Sequence, residues 1–135
     1  MSVTEISLFL ENVEGQLYRV SSLLGESNIN IRAITIADSE GVGVLRIVVD
    51  KPTNAMNILK RNGFIAQSTD VLALSVEDKP GGLAGILKVL SDNKLNVQYM
   101  YGFIEKSLNK AMVAVRFDDL ERATNVLHES KIPFI

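Results

Sequence analysis

Residues 11–32 read ENVEGQLYRVSSLLGESNINIR, and residues 77–98 read EDKPGGLAGILKVLSDNKLNVQ. The two stretches align from end to end without a gap. Each begins with an acidic residue, continues with a glycine turn and an apolar pattern of helical spacing, and has an asparagine near its end. The identical pairs are Glu11/Glu77, Gly15/Gly81, Leu17/Leu83, Leu24/Leu90 and Asn30/Asn96. Such self-similarity indicates two copies of one supersecondary unit.

The alignment continues beyond a small insertion at 107–110. The identical pairs there are Asp50/Asp118, Ala55/Ala123, Asn57/Asn125 and Leu59/Leu127. We therefore predict two domains, 1–70 and 71–135. The last strand of the second domain should be shortened, because four residues remain after Lys131 and Pro133 cannot donate to a strand ladder.

Within one copy the hydrophobic period changes in a fixed order. Short apolar runs at 6–10, 30–38, 44–49 and 64–70 favour strands. Between them, the apolar spacings at 17–24 and 55–59 favour helices, and glycine or asparagine follows each. The order is βαββαβ. We therefore expect an α+β chain of two ferredoxin-like repeats, each an antiparallel sheet with its helices packed on one face.

Composition narrows the possible functions. The chain has 135 residues, 47% of them hydrophobic, which is enough for a folded core. A net charge of −2 without a Lys/Arg cluster argues against nucleic acid as a partner. No cysteine and a single histidine, His128, argue against a metal site, and nothing in the chain indicates a cofactor. The first residues lack the basic region of a signal peptide and the length of a membrane span, so we expect no membrane partner and a cytoplasmic location.

The glycine turn suggests binding of a small anion. A turn from strand into helix exposes the first N–H groups of the helix, and a glycine there lets a ligand approach the backbone. Each copy also has a polar residue before the turn and, at the same spacing, an asparagine before the next strand. The first and third elements of such a unit are neighbours, so we expect these side chains to converge on one small polar ligand. The predicted binding residues are Asn12, Val13, Glu14, Gly15, Gln16, Leu17 and Asn30, and Asp78, Lys79, Pro80, Gly81, Gly82, Leu83 and Asn96.

These segments carry a family resemblance. DKPGGL at 78–83 resembles the D-x-P-G-x-L signature of the ACT domain, and the asparagines at 30 and 96 match the family's asparagine at the entry to its second strand. The resemblance implies amino-acid binding at the interface between paired domains, and regulation without catalysis. It also implies that the ligand meets the backbone of the glycine turn and the two polar side chains. The first copy departs from the signature, with Glu14 in place of proline.

The resulting hypothesis is a non-enzymatic sensor of a free amino acid or related metabolite, which regulates a partner enzyme or regulator. Asp78 is expected to hold the ligand's ammonium group. Exposed strand edges favour a homodimer. An assembly module without a ligand is the alternative.

A minor alternative is an acylphosphatase-like hydrolase, because VEGQLYR resembles the V-Q-G-V-x-F-R loop in which an arginine holds the phosphate. Arg19 matches that arginine, but Ala37 stands where the hydrolase needs an asparagine. Otherwise Arg19 is expected to be a solvated helix residue.

Overall fold

The computed structural model describes residues 2–105 and 110–135. In these residues there are six strands and four helices. They are β1 (Val3–Glu11), α1 (Gln16–Glu26), β2 (Ile31–Ser39), β3 (Val42–Val49), α2 (Pro52–Arg61), β4 (Ile65–Glu77), α3 (Gly82–Asp92), β5 (Val97–Gly102), β6 (Lys110–Phe117) and α4 (Leu120–Glu129). The insertion inferred at 107–110 lies, apart from Lys110, outside the described residues.

The chain forms two compact units. The first is Thr4–Thr69, and the second is Asp70–Ile135 together with Ser2 and Val3. We call them the first and the second repeat. The strands predicted at 64–70 and in the residues that follow are one continuous strand, β4, which supplies its early residues to the first repeat and the remainder to the second.

In the first repeat the strands lie in the order β2-β3-β1-β4. β1 and β2 both pair antiparallel with β3. Alternate residues of β1 point to one face, where they are covered by the apolar stripes of α1 and α2. This core contains Ile6, Leu8, Leu10, Val20, Leu24, Ala55 and Leu59.

In the second repeat the order is β4-β6-β5, and β6 pairs antiparallel with both neighbours. The C-terminal residues run along the other side of β4, where Ala73 and Ile135 exchange backbone hydrogen bonds of 2.9 Å. The core again lies between the sheet and the two helices and contains Leu72, Leu74, Leu90, Val115, Phe117, Ala123 and Leu127. The predicted fold of two ferredoxin-like βαββαβ repeats is confirmed.

All four described helices end in the same way. Each is followed by a residue with positive φ, and these residues are Asn28, Gly63, Lys94 and Lys131. The next residue donates its amide to a carbonyl five residues earlier, as in the bond from Ile132 to Leu127 of 3.0 Å. This left-handed cap stops the helix and turns an apolar side chain back onto the core.

Candidate functional site

The two glycine turns have the same hydrogen bonds. In the second repeat the amide of Gly82 donates to the carbonyl of Lys79 (3.0 Å), and the amide of Gly85 donates to that of Gly81 (3.0 Å). The equivalent bonds in the first repeat run from Gln16 to Val13 (3.3 Å) and from Arg19 to Gly15 (2.9 Å). The duplicated sequence therefore builds the same turn twice.

Glycine is required at the centre of each turn. Gly81 has φ 82° and ψ −8°, and Gly15 has φ 87° and ψ −14°. These angles belong to the third residue of a type II turn, a conformation that a Cβ atom disfavours. Pro80 occupies the preceding position, where its fixed φ suits the turn. Glu14 takes that position in the first repeat and leaves the turn's hydrogen bonds in place.

Each turn presents free helix amides. The first bond inside α3 is the one from Gly85 to Gly81. The amides of Leu83 and Ala84, earlier in the helix, precede any intrahelical acceptor, and Gly81 has no side chain to accept from them. The partial positive charge of a helix N-terminus is concentrated on such groups. This end of α3 therefore favours a negatively charged group.

An ion pair stands beside the second turn. The Lys79 Nζ lies 2.8 Å from the Glu77 Oε2, and both side chains are exposed. The hydrogen bond and charge of Lys79 lower the pKa of Glu77, and the charge of Lys110 lowers this pKa further. The same hydrogen bond and charge raise the pKa of Lys79. Both groups are therefore ionised at neutral pH, and together they contribute no net charge.

The two asparagines lie far from the turns of their own repeats. The amide of Asn30 donates to the Oδ1 of Asp50 (3.0 Å), and its carbonyl accepts from the Asp50 amide (3.2 Å). The carbonyl of Asn96 likewise accepts from the amide of Asp118 (3.4 Å). These contacts hold both asparagines at the opposite end of α1 or α3 from the glycine, and an eleven-residue helix is about 16 Å long.

The predicted convergence of the polar pair within a repeat is therefore wrong. The Asn12 Nδ2 donates to the Oδ1 of Asp38 (3.0 Å), near the end of β2, whereas Asn30 precedes its start. β2 has nine residues, so its ends lie about 25 Å apart. The prediction also took the first and third elements, β1 and β2, to be neighbours, whereas β3 lies between them in the sheet. The paired Asn30 and Asp50, with Asn96 and Asp118, have a structural role that explains their repetition.

A pocket of about 330 Å³ opens beside the second turn. Lys79, Gly81 and Gly82 of the predicted residues line it, together with Glu77. Asp78 instead lines a neighbouring hollow of about 290 Å³ with Lys110. Part of the predicted turn thus borders a cavity with charged groups of both signs.

The rest of the lining was not predicted from the sequence. One wall is the face of α3 formed by Gly85, Ile86 and Val89, and the opposite wall is the segment 131–133 after α4. The sequence carried one signal for this wall. Gly85 occupies the position of Arg19 in the first repeat. A glycine inside a helix destabilises the helix, so its presence indicates that space is needed at that position.

Arg19 is engaged within its own repeat. Its guanidinium donates to the carbonyl of Asn62 (3.0 Å) and lies 4.6 Å from the centre of the Phe64 ring. A guanidinium over an aromatic face is an attractive cation–π contact. Arg19 is exposed on α1, as expected of a solvated helix residue, and the structure adds these two contacts to that expectation.

Other site types find little support in the described part of the chain. Residues 2–105 and 110–135 contain no cluster of three or more His, Asp or Glu side chains arranged for a metal ion. No helix in the same residues has the length and apolar character needed to cross a membrane. A larger hollow of about 470 Å³ is lined by Asn57, Lys60 and Arg61, all on α2, and so has a single wall.

Comparison with known families decides the classification. The whole chain, residues 1–135, matches the family described as the ACT domain pair. The protein belongs to that family. The resemblance seen in DKPGGL is thereby confirmed, and the match extends over both repeats of this ACT domain pair. No curated protein is similar enough to the chain to count as a match.

Solved structures share the fold of this ACT domain pair. Protein BT0572 from Bacteroides thetaiotaomicron is 36% identical with a TM-score of 0.93, over 100% of this chain and 92% of that one. The ligand-free regulatory subunit of aspartate kinase from Thermus thermophilus is 16% identical with a TM-score of 0.70, over 95% and 91% of the two chains. The regulatory subunit of aspartate kinase from Thermus flavus is 14% identical with a TM-score of 0.63, over 96% and 92%. At these low identities the Thermus proteins are evidence for the fold alone.

Proposed function

We propose that this ACT domain pair is a non-enzymatic sensor that binds a free amino acid at the turn of its second repeat and regulates a partner. One observation carries the proposal. The glycine turn at Gly81, which presents free helix amides, borders a pocket of about 330 Å³ with charges of both signs and an apolar wall. Pockets for small ligands begin at about 300 Å³, so this one is at the small end of their range. It suits a molecule of amino-acid size.

The lining offers a partner for each part of an amino acid. The ammonium of Lys131 would bind the carboxylate, assisted by the free amides of Leu83 and Ala84, which lie in the chain between the lining residues Gly82 and Gly85. Glu77 would receive the ligand's ammonium group. Asp78, which was expected to have that role, lies at the neighbouring hollow, so Glu77 replaces it in the proposal.

The ligand would regulate the partner if this protein has two conformational states and the partner binds one of them better than the other. A ligand shifts such an equilibrium only by its difference in affinity for the two states. We propose an enzyme as the partner, in analogy to the Thermus proteins of this fold, which are regulatory subunits of an enzyme. The proposal includes no catalysis by this chain.

A thermal-shift screen against the twenty amino acids tests the proposal. The sample is first denatured and analysed by mass spectrometry to exclude carried-over ligand. A ligand that binds only the folded protein at a hundredfold excess over its Kd stabilises it by about 2.7 kcal/mol. The Glu77→Gln variant should weaken binding of a hit by about tenfold or more, since a charge-assisted hydrogen bond is worth about 1.5–3 kcal/mol.

Glu11→Gln is the matched control, because Glu11 precedes the first turn as Glu77 precedes the second. It should leave the affinity unchanged. A screen without any hit, in protein proven free of ligand, would contradict the sensor proposal and favour the assembly module.

A specific observation favours assembly as a second role. Beside the first turn, Val13, Leu17 and Tyr18 are 50%, 41% and 76% exposed. Their counterparts in the second repeat are Lys79, Leu83 and Ala84, a less apolar set. We propose that this apolar group contacts a second copy of the chain in a homodimer. Light scattering should give a dimer mass for the natural protein and a monomer mass for a variant with Leu17→Ser and Tyr18→Ser. A monomer in both, or a dimer in both, would contradict this role.

A further inference from the structure

We propose that only the second repeat binds the ligand, because in the first repeat Arg19 closes the equivalent space. We further propose that the open pocket selects a small carboxylate with a branched aliphatic tail. Both statements rest on the proposed function and make it more specific. They give one ligand per chain, although the glycine turn is present twice.

The comparison of equivalent positions shows where the repeats differ. In the gap-free alignment of 11–32 with 77–98, Gly82 and Gly85 of the second repeat match Gln16 and Arg19 of the first. In the later alignment, which pairs Asp118 with Asp50, Ile132 matches Phe64. At each of these three positions the first repeat has the larger side chain. All three of the second repeat's residues line the pocket, whereas two other lining residues, Ile86 and Lys131, are larger than their counterparts Val20 and Gly63.

Arg19 reaches across this space in the first repeat. It spans from α1 to the end of α2, with the 3.0 Å hydrogen bond to the Asn62 carbonyl and the contact over the Phe64 ring. Phe64 is 8% exposed, and Val20, the residue after Arg19 in α1, is 1% exposed. The equivalent Ile86 and Ile132 are only partly buried and line the pocket. The same two walls are therefore covered in one repeat and open in the other.

Gly85 leaves empty the space that the Arg19 side chain occupies in the first repeat. A Cβ atom built on Gly85 would meet nothing within 4 Å. A ligand can therefore take the place that the arginine side chain has in the first repeat. Its apolar part would lie against Ile86, Val89 and Ile132, which are aliphatic and partly exposed. Burial of a branched aliphatic group there removes apolar surface of both ligand and protein from water.

The charges of the pocket favour an anion. Glu77 and Lys79 neutralise each other at 2.8 Å, so Lys131 leaves a net charge of +1 on the lining side chains. The free amides of Leu83 and Ala84 add partial positive charge between Gly82 and Gly85, which line the pocket. A carboxylate is thus the obligatory group of the ligand. The ammonium of an amino acid adds affinity through Glu77, which it would share with Lys79, but an acid without that group still binds.

Lys131 allows a clean test of the cation. It has φ 57°, a left-handed conformation that is unfavourable for a lysine, and its counterpart in the first repeat is Gly63 with φ 85°. Lys131→Gly therefore removes the charge and leaves a residue that this backbone accepts. Lys94 is the matched control, because it has φ 55° at the end of α3 and lies outside the pocket lining.

The experiment is isothermal titration calorimetry of the full chain with three probes of one shape. They are L-leucine, 4-methylpentanoate, which lacks the ammonium group, and 3-methylbutylamine, which lacks the carboxylate. We expect the two acids to bind with a stoichiometry of one per chain and the amine to give no heat. Lys131→Gly should weaken both acids about tenfold, and Lys94→Gly should leave their affinity unchanged.

Gly85→Arg places the first repeat's own arginine in the second. It should weaken both acids at least a hundredfold while the melting temperature stays at or above that of the natural protein, since arginine favours a helix more than glycine. Binding of the acids that survives Gly85→Arg, a stoichiometry of two, or binding of the amine would overturn the inference. If only polar amino acids bind, the aliphatic assignment fails but the sensor proposal stands. If no amino acid in the thermal-shift screen binds, both fail.

Discussion

The close approach of α3 to β4 makes a sharp prediction about two glycines of one helix. A Cβ atom on Gly82 would lie 2.0 Å from the carbonyl oxygen of Glu77 and 3.1 Å from its carbonyl carbon. Because both are backbone atoms, the turn itself must move by about 1 Å to restore a normal contact. Strain of this kind typically costs about 1–3 kcal/mol, so Gly82→Ala should lower the free energy of unfolding by that amount.

Gly85→Ala is the matched variant. It adds the same methyl group to the same helix, but into open space, where a Cβ atom has no neighbour within 4 Å. Alanine in a helix interior is more favourable than glycine by about 0.5–1 kcal/mol, so this variant should be stabilised. Urea denaturation followed by circular dichroism measures both. The two midpoints should fall on opposite sides of that of the natural protein, and equal stability of Gly82→Ala and Gly85→Ala would refute the close approach of α3 to Glu77.

Three further predictions concern stability and charge. Arg19→Ala should lower the free energy of unfolding by about 1–2 kcal/mol, measured by urea denaturation, because the carbonyl of Asn62 loses its donor and the cation–π contact is removed. Asp119→Ala should cost about 0.5–2 kcal/mol in the same assay, because the Asp119 side chain accepts a 3.0 Å hydrogen bond from the amide of Arg122 at the start of α4. The pKa of Glu77, measured by carboxyl NMR titration, should lie below its ordinary value and rise in Lys79→Ala. Since the folded pKa is lowered, the pair's contribution to stability is present above the ordinary pKa of Glu77 and is lost as the pH falls through the lowered one.

The fold and the turns could be predicted because their determinants are local. A strongly positive φ at the third position of the turn restricts Gly15 and Gly81 to glycine, and the helical and strand periods on either side are visible in a few residues. Duplication reinforced each of these signals. Glu14 was not disruptive, because the second position of a type II turn accepts most residues that can adopt an ordinary negative φ.

The site residues were harder to predict because they depend on contacts distant in sequence. Arg19 bonds to Asn62, which lies beyond two intervening strands, and the pocket brings Ile132 near the C-terminus against Gly82 at the start of α3. The prediction for Asn30 and Asn96 failed for a related reason. The strands before and after the first helix of each repeat are not neighbours, because β3 or β6 lies between them, and the helix itself separates each asparagine from its turn.

The central claim, that a free amino acid binds at the second turn, is tested most directly by amide NMR during titration with the hit from the screen. We expect the resonances of Gly82, Leu83 and Gly85 to shift together and to saturate at one ligand per chain. The amides of Gly15 and Leu17, which belong to the equivalent turn of the first repeat, should stay in place and serve as the internal reference. Shifts confined to the first turn, or saturating binding that leaves both turns unchanged, would contradict it.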